Sequence, residues 1–220
     1  MNSLPSPILS QLEDFASWLI SHLNKYEAYD EGHTFPWTNH LWRSKDFRRA
    51  HLDIVDARDK SKMYMMHLCI FPNTNDPSPI FGFDLIAGPN KVTGAFHDFS
   101  PVKGKTALDV WFADQTDVLE WSKERTLPPW AKEIFSPSMI AAGNIQDPEE
   151  LSVLIDTAKA NLLHYLKAIG EVTDKDFSPQ QNKYCYNQKQ NPHTPRVMSA
   201  LGFEPEVVHD FIQKCLFPEV

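Results

Sequence analysis

The sequence predicts an α+β domain built in packed layers. Three observations carry this. Apolar residues recur at helical spacing near the start of the chain. Four β-rich segments separated by turn residues fill positions 50–99. Helix start and stop signals punctuate the last third. Strands followed by helices, with helices at both ends, form the pattern of a layered α+β fold. A length of 220 residues suits one domain over residues 1–220.

The elements follow in order. Over residues 5–26, Ile8, Leu12, Phe15, Leu19, Ile20 and Leu23 recur at helical spacing. Residues 29–42, rich in aromatics and histidine, read as a loop. Arg43, Lys45, Arg48 and Arg49 then read as a solvated basic face, or as one that attracts an acidic protein. Residues 51–57, 63–71, 80–87 and 92–99 read as strands of an antiparallel meander. A polar turn at 58–62, a Pro/Asn/Asp loop to 79 and the turn Gly88-Pro89-Asn90-Lys91 separate them. Residues 100–146 are ambiguous, with helix expected at 117–124 and 129–135. Asp147-Pro148-Glu149-Glu150 supplies an N-cap, a proline at the first helical position and an acidic first turn. That helix should run to about 169 and stop at Gly170. Ser178-Pro179 and Thr194-Pro195 open two more, the second ended by Gly202, and a last helix covers about 205–216.

Composition excludes several classes. Net charge is −8, which argues against nucleic acid as the main partner. The eight glycines leave no G-x-G-x-x-G and no P-loop to assemble. The three cysteines, Cys69, Cys185 and Cys215, form no C-x-x-C pair. No cysteine-built zinc or iron–sulfur site fits, and so sparse a count suits a reducing compartment. Residues 1–5 carry no basic leader, and no apolar run approaches the roughly 18 residues of a membrane span. A cytoplasmic protein with no membrane association is expected.

The turn at 88–91 sets a hairpin register. If Gly88 pairs with Lys91, Asp84 falls opposite Ala95 and Gly82 opposite His97. Gly82, Asp84, Thr93, Ala95 and His97 then share one face, small and polar enough to admit something flat. Phe81, Phe83, Leu85, Phe96 and Asp98 share the other. Asp84 sits within an apolar strand, where desolvation raises a carboxyl toward the range of a useful proton donor. It reads either so or as a structural Asp. His67, in Met63-Tyr64-Met65-Met66-His67-Leu68-Cys69-Ile70-Phe71, reads either as a core histidine or as a partner that shares a proton with Asp84. His97-Asp98 is a dipeptide of some metal phosphohydrolases. Alternation sends its two side chains to opposite faces, so no metal site is expected.

Several segments together resemble the ferredoxin-dependent bilin reductases. They are residues 80–88, the stretch Gly94-Ala95-Phe96-His97-Asp98-Phe99-Ser100-Pro101, His67-Leu68-Cys69-Ile70-Phe71-Pro72, residues 184–191, Thr194-Pro195-Arg196-Val197 and Cys215-Leu216-Phe217. The resemblance spans about residues 40–217. It implies a three-layer α/β/α sandwich with a central antiparallel sheet, and biliverdin IXα between the sheet and the C-terminal helices. It implies an oxidoreductase acting on CH–CH groups, with single electrons from the iron–sulfur protein ferredoxin and no bound flavin, nicotinamide or metal.

By position, Asp84 matches the family's central proton donor. His67 matches the histidine of its phycocyanobilin-forming branch, in which Asp53 replaces a Glu that guides D-ring vinyl reduction. That replacement matches a phage-derived sister branch that forms phycoerythrobilin. Asn191 stands where several members have a second Asp. Thr93, Gln188 and His193 match bilin or propionate contacts, and Val197 matches an apolar pocket residue. The expectation is four-electron reduction of biliverdin IXα to phycoerythrobilin, through 15,16-dihydrobiliverdin, with Asp84 and His67 donating protons to bilin radicals. Phycocyanobilin is the alternative product, and a non-catalytic bilin carrier is the alternative of another class. The expected state is a monomer. Lys103, Lys105, Lys183, Lys189 and Arg196 are candidates for docking acidic ferredoxin.

Overall fold

A computed structural model describes residues 6–220; the leader reading of residues 1–5 lies outside the described residues. Helix α1 (Pro7–Leu23) is followed by strands β1 (Glu27–Ala28), β2 (Thr38–Arg43) and β3 (Phe47–Ala57). A short helix α2 (Arg58–Ser61) leads to β4 (Met63–Pro72), β5 (Ile80–Ala87) and β6 (Val92–Ser100). Then come α3 (Ala107–Thr116), α4 (Pro129–Lys132), β7 (Ile140–Ala142) and α5 (Pro148–Ala168). The chain closes with α6 (Ser178–Gln188), α7 (His193–Ala200), α8 (Pro205–Asp210) and a π-helical turn, Phe211–Leu216. All seven strands form one antiparallel sheet in chain order. Such a meander needs only short connections between neighbours.

Two apolar clusters cover the two faces of the sheet. On one, α1, α3 and α5 bury Leu12, Phe15, Phe112, Leu154 and Tyr165 against Leu52, Leu68, Phe83 and Phe99. On the other, α6, α7, α8 and the π-helical turn bury Tyr184, Met198, Val208, Phe211 and Leu216 against Cys69, Phe71 and Ile80. The result is the expected three-layer sandwich. Helix α5 starts on its Asp147 cap, whose side chain accepts from Glu149 N–H. It stops before Gly170, which holds φ +105° where a Cβ would strike Asp46 Oδ1 at 2.6 Å.

Four expectations need correction. Residues 38–43 form strand β2, not loop: residues 38–42 pair one by one with the buried segment 50–54 of β3. The basic cluster is not wholly solvated. Arg49 is 2% exposed, held by Glu31 and the Cys215 carbonyl, and Arg48 stacks over Phe71. No helix forms at 117–124. A Thr106–Asp109 capping box starts α3 earlier, and the chain then bends so that Glu124 bridges to Ala142 of β7.

The hairpin register is the fourth. A bulge separates Ile86 from Ala87, so Asp84 faces Phe96 and Gly82 faces Asp98. Thr93 is the extra residue, its hydroxyl donating to the Ile86 carbonyl at 3.0 Å. Every side chain beyond the bulge changes face. Ala95 and His97 join the core, while Phe96 and Asp98 join Asp84.

Candidate active site

One row of the sheet runs Asn39, Asp53, His67, Asp84 and Phe96, each directly opposite the next across β2 to β6. The next row in register holds His51, Cys69, Gly82 and Asp98. Period-two alternation aims both rows at the C-terminal helical layer. Between them lies a cavity of about 460 Å³, the size of a small-molecule site. Its walls include Met65, Ile86, Phe96, Tyr184, Phe211 and Phe217. Gly82 lines its floor opposite the Tyr184 hydroxyl, which a Cβ there would meet in ordinary contact at 3.6 Å.

The electrostatics differ along the row. Burial pushes the Asp84 carboxyl up to about 7, opposed only by a hydrogen bond from the Leu85 backbone. Burial pushes the His67 ring down to about 4, so it is neutral near pH 7. Its Nδ1 is buried with no hydrogen-bond partner among the described residues. His51 goes the other way. Burial lowers it, but the Asp53 carboxylate at 3.0 Å outweighs that and raises it to about 9. Asp53 Oδ1 accepts from Trp37 Nε1 at 3.0 Å and Asn39 Nδ2 at 2.9 Å. Asp98, pushed up to about 6 by burial, accepts from Ser100 and from the backbone and hydroxyl of Ser136. It thereby ties β6 to the loop before β7.

All eight residues singled out in the sequence line this cavity: Asp53, His67, Asp84, Thr93, Gln188, Asn191, His193 and Val197. His67 and Asp84 are cross-strand neighbours, although no hydrogen bond joins them among the described residues. Gln188 donates to the Tyr184 hydroxyl at 2.8 Å, and Asn191 Oδ1 accepts from the His193 backbone. His97 points away, into the α1–α5 side, and Asp98 toward the cavity. The expectation that the dipeptide splits between faces holds, although each residue takes the face opposite to the one expected.

Several residues escaped the sequence reading. His51 repeats the period-two pattern with Asp53 on β3, which was the available signal. Trp37 and Asn39 lay in what read as loop. Arg125 carries no motif. Its exposed guanidinium sits at the cavity mouth and donates to the Thr93 carbonyl.

His51, Asp53 and His67 also bring three possible metal-ligand atoms within 4.8 Å of one another. Within that group the His51 ring and the Asp53 carboxylate already face each other at 3.0 Å.

Fold and site together define a protein with an apolar cavity whose sheet floor carries a row of carboxyl and imidazole groups. The chain belongs to the ferredoxin-dependent bilin reductase family, whose profile matches residues 10–218. It is 29% identical to a phycocyanobilin:ferredoxin oxidoreductase of Gloeobacter violaceus over 94% of this chain and 83% of that one. It is 31% identical to one of Prochlorococcus marinus over 90% of this chain and 82% of that one. Among solved structures it is similar to PcyX, with TM-score 0.68 and 32% identity, covering 96% of this chain and 99% of that one. The tomato phytochromobilin synthase in complex with biliverdin shares the fold at TM-score 0.67 and 15% identity, over 94% and 82%. Family membership makes the chain a bilin-reducing oxidoreductase dependent on ferredoxin. No helix of the described residues is long and apolar enough to cross a membrane.

Proposed function

We propose that this chain reduces biliverdin IXα by four electrons to phycoerythrobilin, through 15,16-dihydrobiliverdin, with Asp84 as the proton donor. The observation that carries the reading is Asp84 itself. It lies on the cavity floor beside His67, and burial holds it near pH 7. An acid tuned there is protonated enough to donate and weak enough to be reloaded. The PcyX likeness and the tomato synthase's biliverdin complex support the ligand.

Electrons arrive singly from reduced ferredoxin, without a resident flavin, nicotinamide or metal. The glycine inventory, which leaves no nucleotide loop of the two common kinds, supports that part. Each added electron makes the conjugated bilin more basic. Asp84 then gives its proton to a carbon or nitrogen held within about 3 Å. His67, neutral and facing Asp84, relays the next proton, and the His51 imidazolium, its ring centroid 6.3 Å from that of His67, supplies it. Gln188, Asn191, Thr93 and Val197 hold the tetrapyrrole. His193 and Arg125, both exposed at the mouth, meet its propionates.

Ferredoxin docks on the basic groups that carry no ion pair among the described residues. Lys183 and Lys189 are engaged with Glu133 and Glu219, which leaves Lys103, Lys105 and Arg196. The protein acts as a cytoplasmic monomer.

Phycocyanobilin is the second reading, favoured by the names of the curated relatives. Against it stands the shorter Asp53, whose Oδ1 is already shared between Trp37 and Asn39. Anaerobic incubation with biliverdin, ferredoxin and a ferredoxin-reducing system, followed by chromatography, tests this. Phycoerythrobilin through 15,16-dihydrobiliverdin is expected. Phycocyanobilin would overturn the product, and tight binding without reduction would make the protein a carrier.

A further inference from the structure

We propose that Trp37 and Asn39 are positioning residues that hold Asp53 as a hydrogen-bond acceptor and so leave Asp84 as the acid of the row. This rests on the reductive reading above. Two carboxyl groups stand in one row, separated only by His67. A flat ligand lying along that row meets both. Which carbon it gains a proton on depends on which carboxyl carries one.

Their surroundings are opposite. Asp53 Oδ1 receives two N–H donors, from Trp37 at 3.0 Å and Asn39 at 2.9 Å, and Oδ2 faces the cationic ring of His51 at 3.0 Å. Indole and amide N–H groups donate only, so both favour the ionised carboxylate. Among the described residues Asp84 has no side-chain donor, only the Leu85 backbone N–H.

Both donors are themselves fixed. Asn39 sits directly opposite Asp53 in the β2–β3 ladder. Its amide also donates to Cys215 Sγ at 3.5 Å. Trp37, one residue before β2, is wedged among rings. It stacks on Phe35 at 4.8 Å and meets Phe203 and Phe211 edge-on at 4.9 and 5.0 Å. Phe203 joins α7 to α8, and Phe211 opens the π-helical turn. The indole therefore ties the charge on Asp53 to the helical layer that roofs the cavity.

The consequence is regiochemical. Each reduction step takes two electrons from two reduced ferredoxins and two protons, and saturates one unit of the conjugated path. With Asp53 occupied as an acceptor, the first proton of the first step leaves from Asp84 to the bilin position nearest it, and the second proton of that step and both protons of the next go to other atoms of the bilin. Removing the donors turns Asp53 into a second acid farther along the row. Protons then arrive at a second position, and an isomeric product appears.

Trp37→Phe and Asn39→Ala, alone and together, remove the donors while keeping ring and strand. In ligand-free protein, infrared spectra with 13C-carboxyl aspartate read the acid C=O band, assigned through Asp53→Asn. We expect the Asp53 acid band to be stronger in the double variant than in the native protein at the same pH. With biliverdin and reduced ferredoxin, the ratio of a second isomer to the native product should rise about tenfold, the scale of one hydrogen bond to a charged group. Asn39→Ser, which restores a donor, should return the native ratio. A folded double variant with an Asp53 acid band no stronger than the native one, or with an unchanged product ratio, overturns the proposal. Should the double variant not fold, Trp37→Phe alone decides on the same two readouts. Failure of the native protein to reduce biliverdin would sink the reductive reading, while the infrared band would still decide whether Trp37 and Asn39 hold the charge.

Discussion

His67 and His97 sit on opposite faces of one sheet, and burial pushes both rings down to about 4. Their exposure and their partners differ: His97 is fully buried, His67 half-buried at the cavity. On the α1–α5 face, His97 donates from Nδ1 to the Gly82 carbonyl at 2.7 Å and accepts from Asn161 at 3.1 Å, among Phe81, Phe83, Phe99 and Phe112. On the cavity face, neither His67 Nδ1 nor His51 Nδ1 has a hydrogen-bond partner among the described residues. A buried polar atom left unpaired costs about 1–3 kcal/mol. One face has satisfied its polar groups and serves stability. The other keeps them open toward a ligand. A shifted histidine is therefore informative only together with what its nitrogens touch.

The contrast breaks most visibly at Asp84. Asp84→Asn should lower anaerobic turnover by about 10²- to 10⁴-fold, the usual worth of a positioned acid. Absorbance titration should still show bilin binding; turnover close to native would remove Asp84 from the mechanism. Next comes stability. His97→Ala leaves a core void and an unpaired Asn161, and should cost about 3 kcal/mol in urea unfolding. His67→Ala, with less to lose, should cost about 1 kcal/mol. Equal costs would erase the distinction between the faces.

A subtler effect is the pH dependence of stability. The folded pKa of Asp84 is raised to about 7 from an ordinary 3.8, so the folded state binds the proton more tightly. Its contribution is full below the unfolded value and is lost as pH rises toward 7. Asp84→Asn removes that loss. Its melting temperature relative to native should climb between about pH 4 and pH 7 and then level off. A flat difference would mean that Asp84 titrates normally. The smallest effect belongs to the surface. Charge reversal at Lys103, Lys105 and Arg196 should raise the KM for ferredoxin a few-fold at low salt and less at high salt. No change would place docking elsewhere.

Much of this was legible from the sequence. The strands at 80–87 and 92–99 and the helix from Asp147 to Gly170 follow from turn and cap residues that act locally. His67 and Asp84 stood out because titratable groups in apolar strands are rare. The facing of Phe96 and Asp98 was not legible. It depends on one bulge at Thr93, and a bulge is a choice between two registers of nearly equal local energy. Arg49 and Trp37 were misplaced for a related reason. What buries them, Glu31 and the segment from Phe203 to Cys215, lies far away in sequence. Burial by distant segments leaves no local pattern.

The most direct test is the rate of the first bilin protonation, followed by rapid freeze-quench after one electron is delivered, across pH 5.5–8.5. We expect the rate to fall as pH rises through about 7, the value to which burial holds Asp84, and to be lost in Asp84→Asn. A rate independent of pH, or one that survives Asp84→Asn, would contradict the assignment of Asp84 as the proton donor.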